Sequence, residues 1–130
     1  MRDMPYQNYR GLIVWKEAHK FVLDVYQSTK DFPVTERYGI TSQIRRAAVS
    51  IPNNIVEGNA KTSVKDQLRF CEISRGSISE CGYLLELSRD LGYLPAESHS
   101  RLEAQLNRVE YLLLRLMSSQ GRDLRMNYTL

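Results

Sequence analysis

Gln43-Ile-Arg-Arg-Ala-Ala-Val-Ser-Ile-Pro-Asn-Asn-Ile-Val-Glu-Gly58 reads as helix on both sides of a proline. Inside a helix Pro52 removes one backbone donor and presses on the carbonyl of Ala48, a defect of roughly 3 kcal/mol. A chain keeps such a defect where a bend is structurally useful, and the small residues Ala47, Ala48 and Ser50 point to close packing there. Ile40, Ile44, Ala47, Ala48, Ile51 and Ile55 form one apolar helical face that continues through the proline. The spacing predicts a single kinked helix from Thr35 or Thr41, either of which could cap it, to about Asn59. The competing reading splits this segment at Ser50, which would cap a new helix with Pro52 in its first turn.

Working outward, Trp15, Ala18, Val22, Val25 and Thr29 make one stripe of a helix over about Leu12 to Lys30, widened by Phe21 and Tyr26 and ended by Asp31-Phe32-Pro33. Ser63 is a suitable cap for a third helix, with Asp66 placed against the helix dipole. Leu68, Cys71, Ile78, Cys81, Leu84, Leu85 and Ser88 carry its buried stripe, and Gly92 stops it, with Tyr93 and Leu94 available for the contact beside a glycine C-cap. Pro95 suits the first turn of a fourth helix, whose Leu102, Leu106, Val109, Leu113 and Leu116 have heptad-like spacing up to a stop at Gly121. No alternating strand pattern occurs. These elements predict an all-α, antiparallel up-down-up-down four-helix bundle over residues 11–121, with tails at 1–10 and 122–130.

Antiparallel pairing makes neighbours calculable. Across the second loop, facing residue numbers should add to about 124. That sets Ala47 and Ser50 against Ser77 and Ser74, with Gly76 nearby, as a seam of small side chains. It also places Glu80 within reach of a salt bridge to Arg45 or Arg46. Across the first loop Trp15 falls near Pro52, where the indole would fill the volume opened by the kink.

The 130 residues fit one domain, and 42% hydrophobic with 25% charged residues is an ordinary soluble balance. No apolar run approaches the roughly 20 residues that span a bilayer, so no membrane partner is expected. Met1-Arg2-Asp3-Met4-Pro5 lacks a signal-peptide pattern, and the expected location is the cytoplasm. Cys71 and Cys81 lie ten residues apart in one helix, about 15 Å of rise, too far for a bridge, and read as reduced buried thiols. With His19 and His99 isolated and no CxxC spacing, neither metal nor cofactor is expected. A net charge of +3 permits an anionic partner without demanding one.

Arg101, Arg108, Arg115 and Arg122 recur every seven residues along one face of helix four and could track phosphates; the alternative is a solvated face or subunit border, since Glu103 and Glu110 dilute the field. Lys61, Lys65, Arg69 and Arg75 form a second strip early in helix three, also interrupted by acids, and such alternation of sign is usually solvated surface. Glu57 and Glu80 could be imagined as an acid–base pair, but the pairing arithmetic separates them. Glu57 reads instead as support for a helix–helix turn or an interface, and Asn53 and Asn54 as donors to carbonyls freed by Pro52 or as residues of a subunit contact. Tyr6, Tyr9, Tyr93, Tyr111 and Tyr128 suit interfaces, or stacking on unpaired bases. No phosphate loop or nucleophile elbow is present, so neither an enzyme nor a small-molecule substrate is expected.

Leu12-Ile-Val-Trp15, Phe32-Pro33, Tyr38-Gly-Ile40, Gln43-Ile-Arg-Arg-Ala-Ala48, Ser50-Ile-Pro-Asn-Asn-Ile55, Glu57-Gly58, Arg75-Gly-Ser77 with Glu80, and Leu91-Gly-Tyr93 occur in order. Together they resemble the bacterial 23S rRNA intervening-sequence family, sometimes called S23 ribosomal proteins, over roughly residues 11 to 118. One departure is Cys81-Gly82 after Glu80, which would loosen the middle of helix three. The resemblance implies a four-helix bundle, commonly a ring-shaped homopentamer, without catalytic residues. The family is also similar to the accessory protein of diversity-generating retroelements, a basic pentamer that works with nucleic acid. The expectation is a non-catalytic homo-oligomeric scaffold, a pentamer, associated with RNA or DNA. The alternative is a protein-interaction module that binds no nucleic acid.

Overall fold

The computed structural model describes the backbone of residues 2–129 and the side chains of residues 2–120. Four α-helices, α1 (Ile13–Ser28), α2 (Ile40–Asn59), α3 (Val64–Asp90) and α4 (Ala96–Thr129), are joined by short connections. Short 3-10 helices occupy Pro5–Gly11 and Val34–Glu36, and the described residues contain no strand. The chain is all-α, a helical bundle in which α1 packs on α2 and α4, and α3 packs on the same two.

One core cluster joins all four helices. Every apolar position read on the face of α2 is buried, from Ile40 to Ile55, and the helix runs unbroken through a buried Pro52. The split at Ser50 does not occur. On α1 the buried stripe is Val14, Ala18, Phe21 and Val25, one position before the expected Trp15 and Val22, which lie at the core's edge. Trp15 is half-buried, stacked on His19 with ring centroids 5.0 Å apart and met edge-on by Tyr9. Tyr9 and Asn8 thus tie the segment before α1 to the bundle: Asn59 also donates a 2.7 Å hydrogen bond to Asn8.

Helix ends follow the sequence in two cases and depart from it in two. Ser63 Oγ accepts from the Asp66 amide at 3.2 Å, as its capping position requires. Gly92, at φ +81, turns the chain after α3 while the Tyr93 amide returns 2.9 Å to the Ser88 carbonyl. Neither Thr35 nor Thr41 caps α2. Its N-cap is Gly39, and the Ile40 amide donates to Glu36 Oε1. The second oxygen of Glu36 accepts a 2.9 Å bond from the Tyr93 hydroxyl, so a residue after α3 fixes the carboxylate at the start of α2. That bond, with burial and the nearby negative charge, raises the Tyr93 pKa. At the other end of the chain α4 continues through Gly121 instead of stopping there. The side chains of residues 121–130, including Arg122 and Tyr128, lie outside the described residues.

The seam between α2 and α3 is built from hydroxyls. Ser77 Oγ reaches Ser50 Oγ at 2.8 Å, and Ser74 Oγ donates to the Ile51 carbonyl at 2.9 Å. Asn54 donates to the Ser50 carbonyl at 2.8 Å and to Ser50 Oγ at 3.0 Å, so its target is Ser50 and not the Ala48 carbonyl that Pro52 leaves without a donor. Gly76 takes no part. It is exposed, with nothing near the position of a Cβ. Gly58 is the glycine of close approach: a Cβ there would lie 3.1 Å from Phe70 Cβ and 3.3 Å from the Gln67 carbonyl. Gly82 leaves α3 unbroken.

Candidate nucleic-acid interface

Arg101, Arg108 and Arg115 are exposed on α4. Arg108 pairs with Glu17 of α1 at 3.5 Å, and Arg101 donates to Ser28 at 3.3 Å, so the stripe borders the α1–α4 junction. Arg115 donates to the Tyr111 hydroxyl at 3.1 Å. One of these charges is therefore partly neutralised, and the other two keep theirs while bonded to neutral oxygens. Lys61, in the connection before α3, and Arg69, early in α3, sit 5.2 and 4.7 Å from the Phe70 ring, and Arg69 also lies 3.8 Å from Asp66. Lys65 is exposed, and Arg75 pairs with Glu72 at 3.7 Å. The α3 strip is mostly spent on local pairs.

The expected bridge from Glu80 to Arg45 or Arg46 is not formed. Arg45 turns to α1, where Nε donates 2.9 Å to Thr29 Oγ1 and Nη2 reaches the Tyr26 carbonyl. Its guanidinium also lies 4.6 Å from the Tyr26 ring. A cation against the last carbonyls of a helix is favoured by the dipole, and that position outcompetes a solvent-exposed carboxylate. Glu80 and Arg46 instead line a common cleft of about 500 Å³ with Tyr38, Ser42, Gln43 and Ser50. Glu57 is exposed, and no ion pair holds it among the described residues.

A second cleft, about 420 Å³, adjoins the first and shares Ser42 and Arg46 with it, adding Arg37, Thr41 and Arg45. A third, about 230 Å³, continues from Arg37, Thr41 and Arg45 toward Lys30 and Val34. Sequence reasoning missed this surface, because a loop, α1, α2 and α3 all contribute to it. Arg46 entered only as an ion-pair partner, and Arg37 not at all.

Cys71 and Cys81 are buried and unbridged. Burial, assisted by Glu72, pushes the Cys71 thiol up to about 11, and burial with Glu80 pushes Cys81 up to about 12. Such thiols are poor nucleophiles at neutral pH. Among the described residues no group of three or more His, Cys, Asp or Glu could hold a metal ion, and no helix is long and apolar enough to cross a membrane.

Residues 10–115 match the family model described as 23S rRNA-intervening sequence protein. A solved structure from Bacteroides thetaiotaomicron, a protein of unknown function from the S23 ribosomal protein family, superimposes with a TM-score of 0.71 at 23% sequence identity. The match covers 81% of this chain and 98% of that one, and at this identity it speaks for the fold. No curated protein matches the chain.

Proposed function

Since the chain belongs to the 23S rRNA-intervening sequence protein family, we propose that it is a cytoplasmic, non-catalytic scaffold that assembles as a homopentamer and associates with RNA. We read its four helices as an antiparallel up-down-up-down bundle with α2 bent at Pro52. In support, contacts across α2 and α3 run in opposite senses: Ser50 meets Ser77, Ile51 meets Ser74, and Gly58 approaches Phe70.

The observation that carries the RNA reading is the alignment of exposed Arg101, Arg108 and Arg115 on one helix, a spacing suited to a phosphate backbone. Assembly is supported by large apolar and aromatic side chains left open to solvent, among them Tyr38 at 88%, Tyr83 at 60% and Tyr111 at 56% exposure. Filter retention of a structured RNA over a salt series tests the reading. Affinity should fall steeply as salt rises and should weaken when Arg108 and Arg115 become Glu. No retention at low salt defeats it.

One observation favours a second reading, a protein-interaction module without nucleic acid. Arg108 is paired with Glu17, and exposed tyrosines accompany the arginines, as at protein interfaces. Unchanged light-scattering mass and no RNA retention in the same titration would favour it.

A further inference from the structure

The clefts along α2 have a composition the α4 stripe lacks. Lys30, Arg37, Arg45 and Arg46 line them, against one carboxylate, Glu80, at the far end of the first. Among the described residues Lys30, Arg37 and Arg46 make no ion pair, whereas Arg69, Arg75, Arg89 and Arg108 each have an acid within 4.0 Å. Glu36, the acid next to Arg37 in sequence, is committed to the Tyr93 hydroxyl and the Ile40 amide, while Asp31, next to Lys30, is exposed and lines none of the three clefts. Concave walls concentrate the field of such charges beyond what a flat stripe achieves.

A further feature suits a polyanion with unpaired bases. Tyr38, at the mouth of the first cleft, is 88% exposed and offers a ring face on which a base can stack beside the Arg37 guanidinium, 5.9 Å from its centroid, whereas the Tyr26 ring on the second cleft is already covered by Arg45.

We propose that this run of clefts, from Lys30 through Arg37 and Arg46 to Ser50, is the track on which the phosphodiester backbone of a single-stranded RNA segment lies. The proposal rests on the nucleic-acid reading above and gives it a location other than α4. Arg45 is a positioning residue here, because Thr29 and Tyr26 hold it; Arg37 and Arg46 supply the movable charge. The same geometry serves single-stranded DNA, since no feature of the clefts reads the 2′-hydroxyl.

The test compares native protein with Arg37→Glu/Arg46→Glu and Arg108→Glu/Arg115→Glu, using a fluorescent single-stranded RNA and a DNA of the same sequence over a salt series. Both pairs are exposed, so the melting temperature should hold, and Arg37→Gln/Arg46→Gln serves as a milder second variant. The cleft variant should lose at least about tenfold in affinity and more than the α4 variant. Neutralising two contacts should flatten the log–log salt slope by about 1.4, at about 0.7 for each phosphate on a single strand. A cleft variant that binds like native protein, while the α4 variant fails, overturns the cleft and leaves the RNA reading standing. Failure of native protein to bind either polymer removes the reading and the cleft with it. A cleft variant whose assembly mass changes identifies the face as a contact between subunits, which also overturns the proposal.

Discussion

Ser77 Oγ lies 2.8 Å from Ser50 Oγ, joining the middle of α3 to α2 two residues before Pro52. The bond marks where the helices come close enough for hydroxyls to meet. A leucine at position 77 would force them apart, and Ser77→Leu should cost about 1–3 kcal/mol as overpacking. Ser77→Ala removes only a hydrogen bond and should cost about 1 kcal/mol. Urea denaturation of the two variants checks the order, and equal losses would contradict a close seam.

Gly58 and Gly76 should respond oppositely to alanine. At exposed Gly76 a methyl meets nothing, and the gain in helix propensity should stabilise the protein by about 0.5–1 kcal/mol. At Gly58 the same methyl would crowd Phe70 Cβ and the Gln67 carbonyl, atoms fixed by the α3 backbone. Gly58→Ala should therefore destabilise by about 1 kcal/mol despite the propensity gain. Melting temperatures moving in the same direction would place the close approach elsewhere.

Arg45 closes the end of α1 through Thr29 and Tyr26. Arg45→Ala leaves the buried Thr29 hydroxyl without its donor and uncovers the Tyr26 ring, for an expected loss of about 1–3 kcal/mol. Arg46→Ala, with no bond of this kind, should change stability by less than about 0.5 kcal/mol. Thermal unfolding of the pair distinguishes them, and equal stability would mean that Arg45 is solvated.

The thiols make stability depend on alkaline pH. The ordinary value is 9.0, and the folded chain holds the protons of Cys71 and Cys81 up to about 11 and about 12. Folded protein thus binds more protons than unfolded protein above about pH 9. The thiols' contribution is complete below that pH and is lost as pH rises toward 11 and 12. Iodoacetamide at pH 8 should leave both cysteines unmodified in native protein and label both in urea, as mass spectrometry would show.

The core was legible because helical period is a local property: all six apolar positions chosen on α2 are buried. Ends held by distant residues were not. Thr35 and Thr41 are sound capping residues, yet Glu36 takes the role because Tyr93, 57 residues along the chain, holds its carboxylate. Gly76 was misplaced for a different reason. Pairing arithmetic gives the level along a helix but not the rotation, and a residue two steps from buried Ser74 points to the opposite side. The arginines of α4 were visible as a repeat, whereas the clefts of α2 assemble from segments that no single period links.

The central claim, an oligomeric scaffold that carries RNA, is tested most directly by size-exclusion chromatography with light scattering on protein mixed with a fluorescent single-stranded RNA at low salt. The account predicts one peak containing both components, with a protein mass of five times 15.1 kDa, about 75 kDa. A 15.1 kDa species eluting apart from the RNA would contradict it.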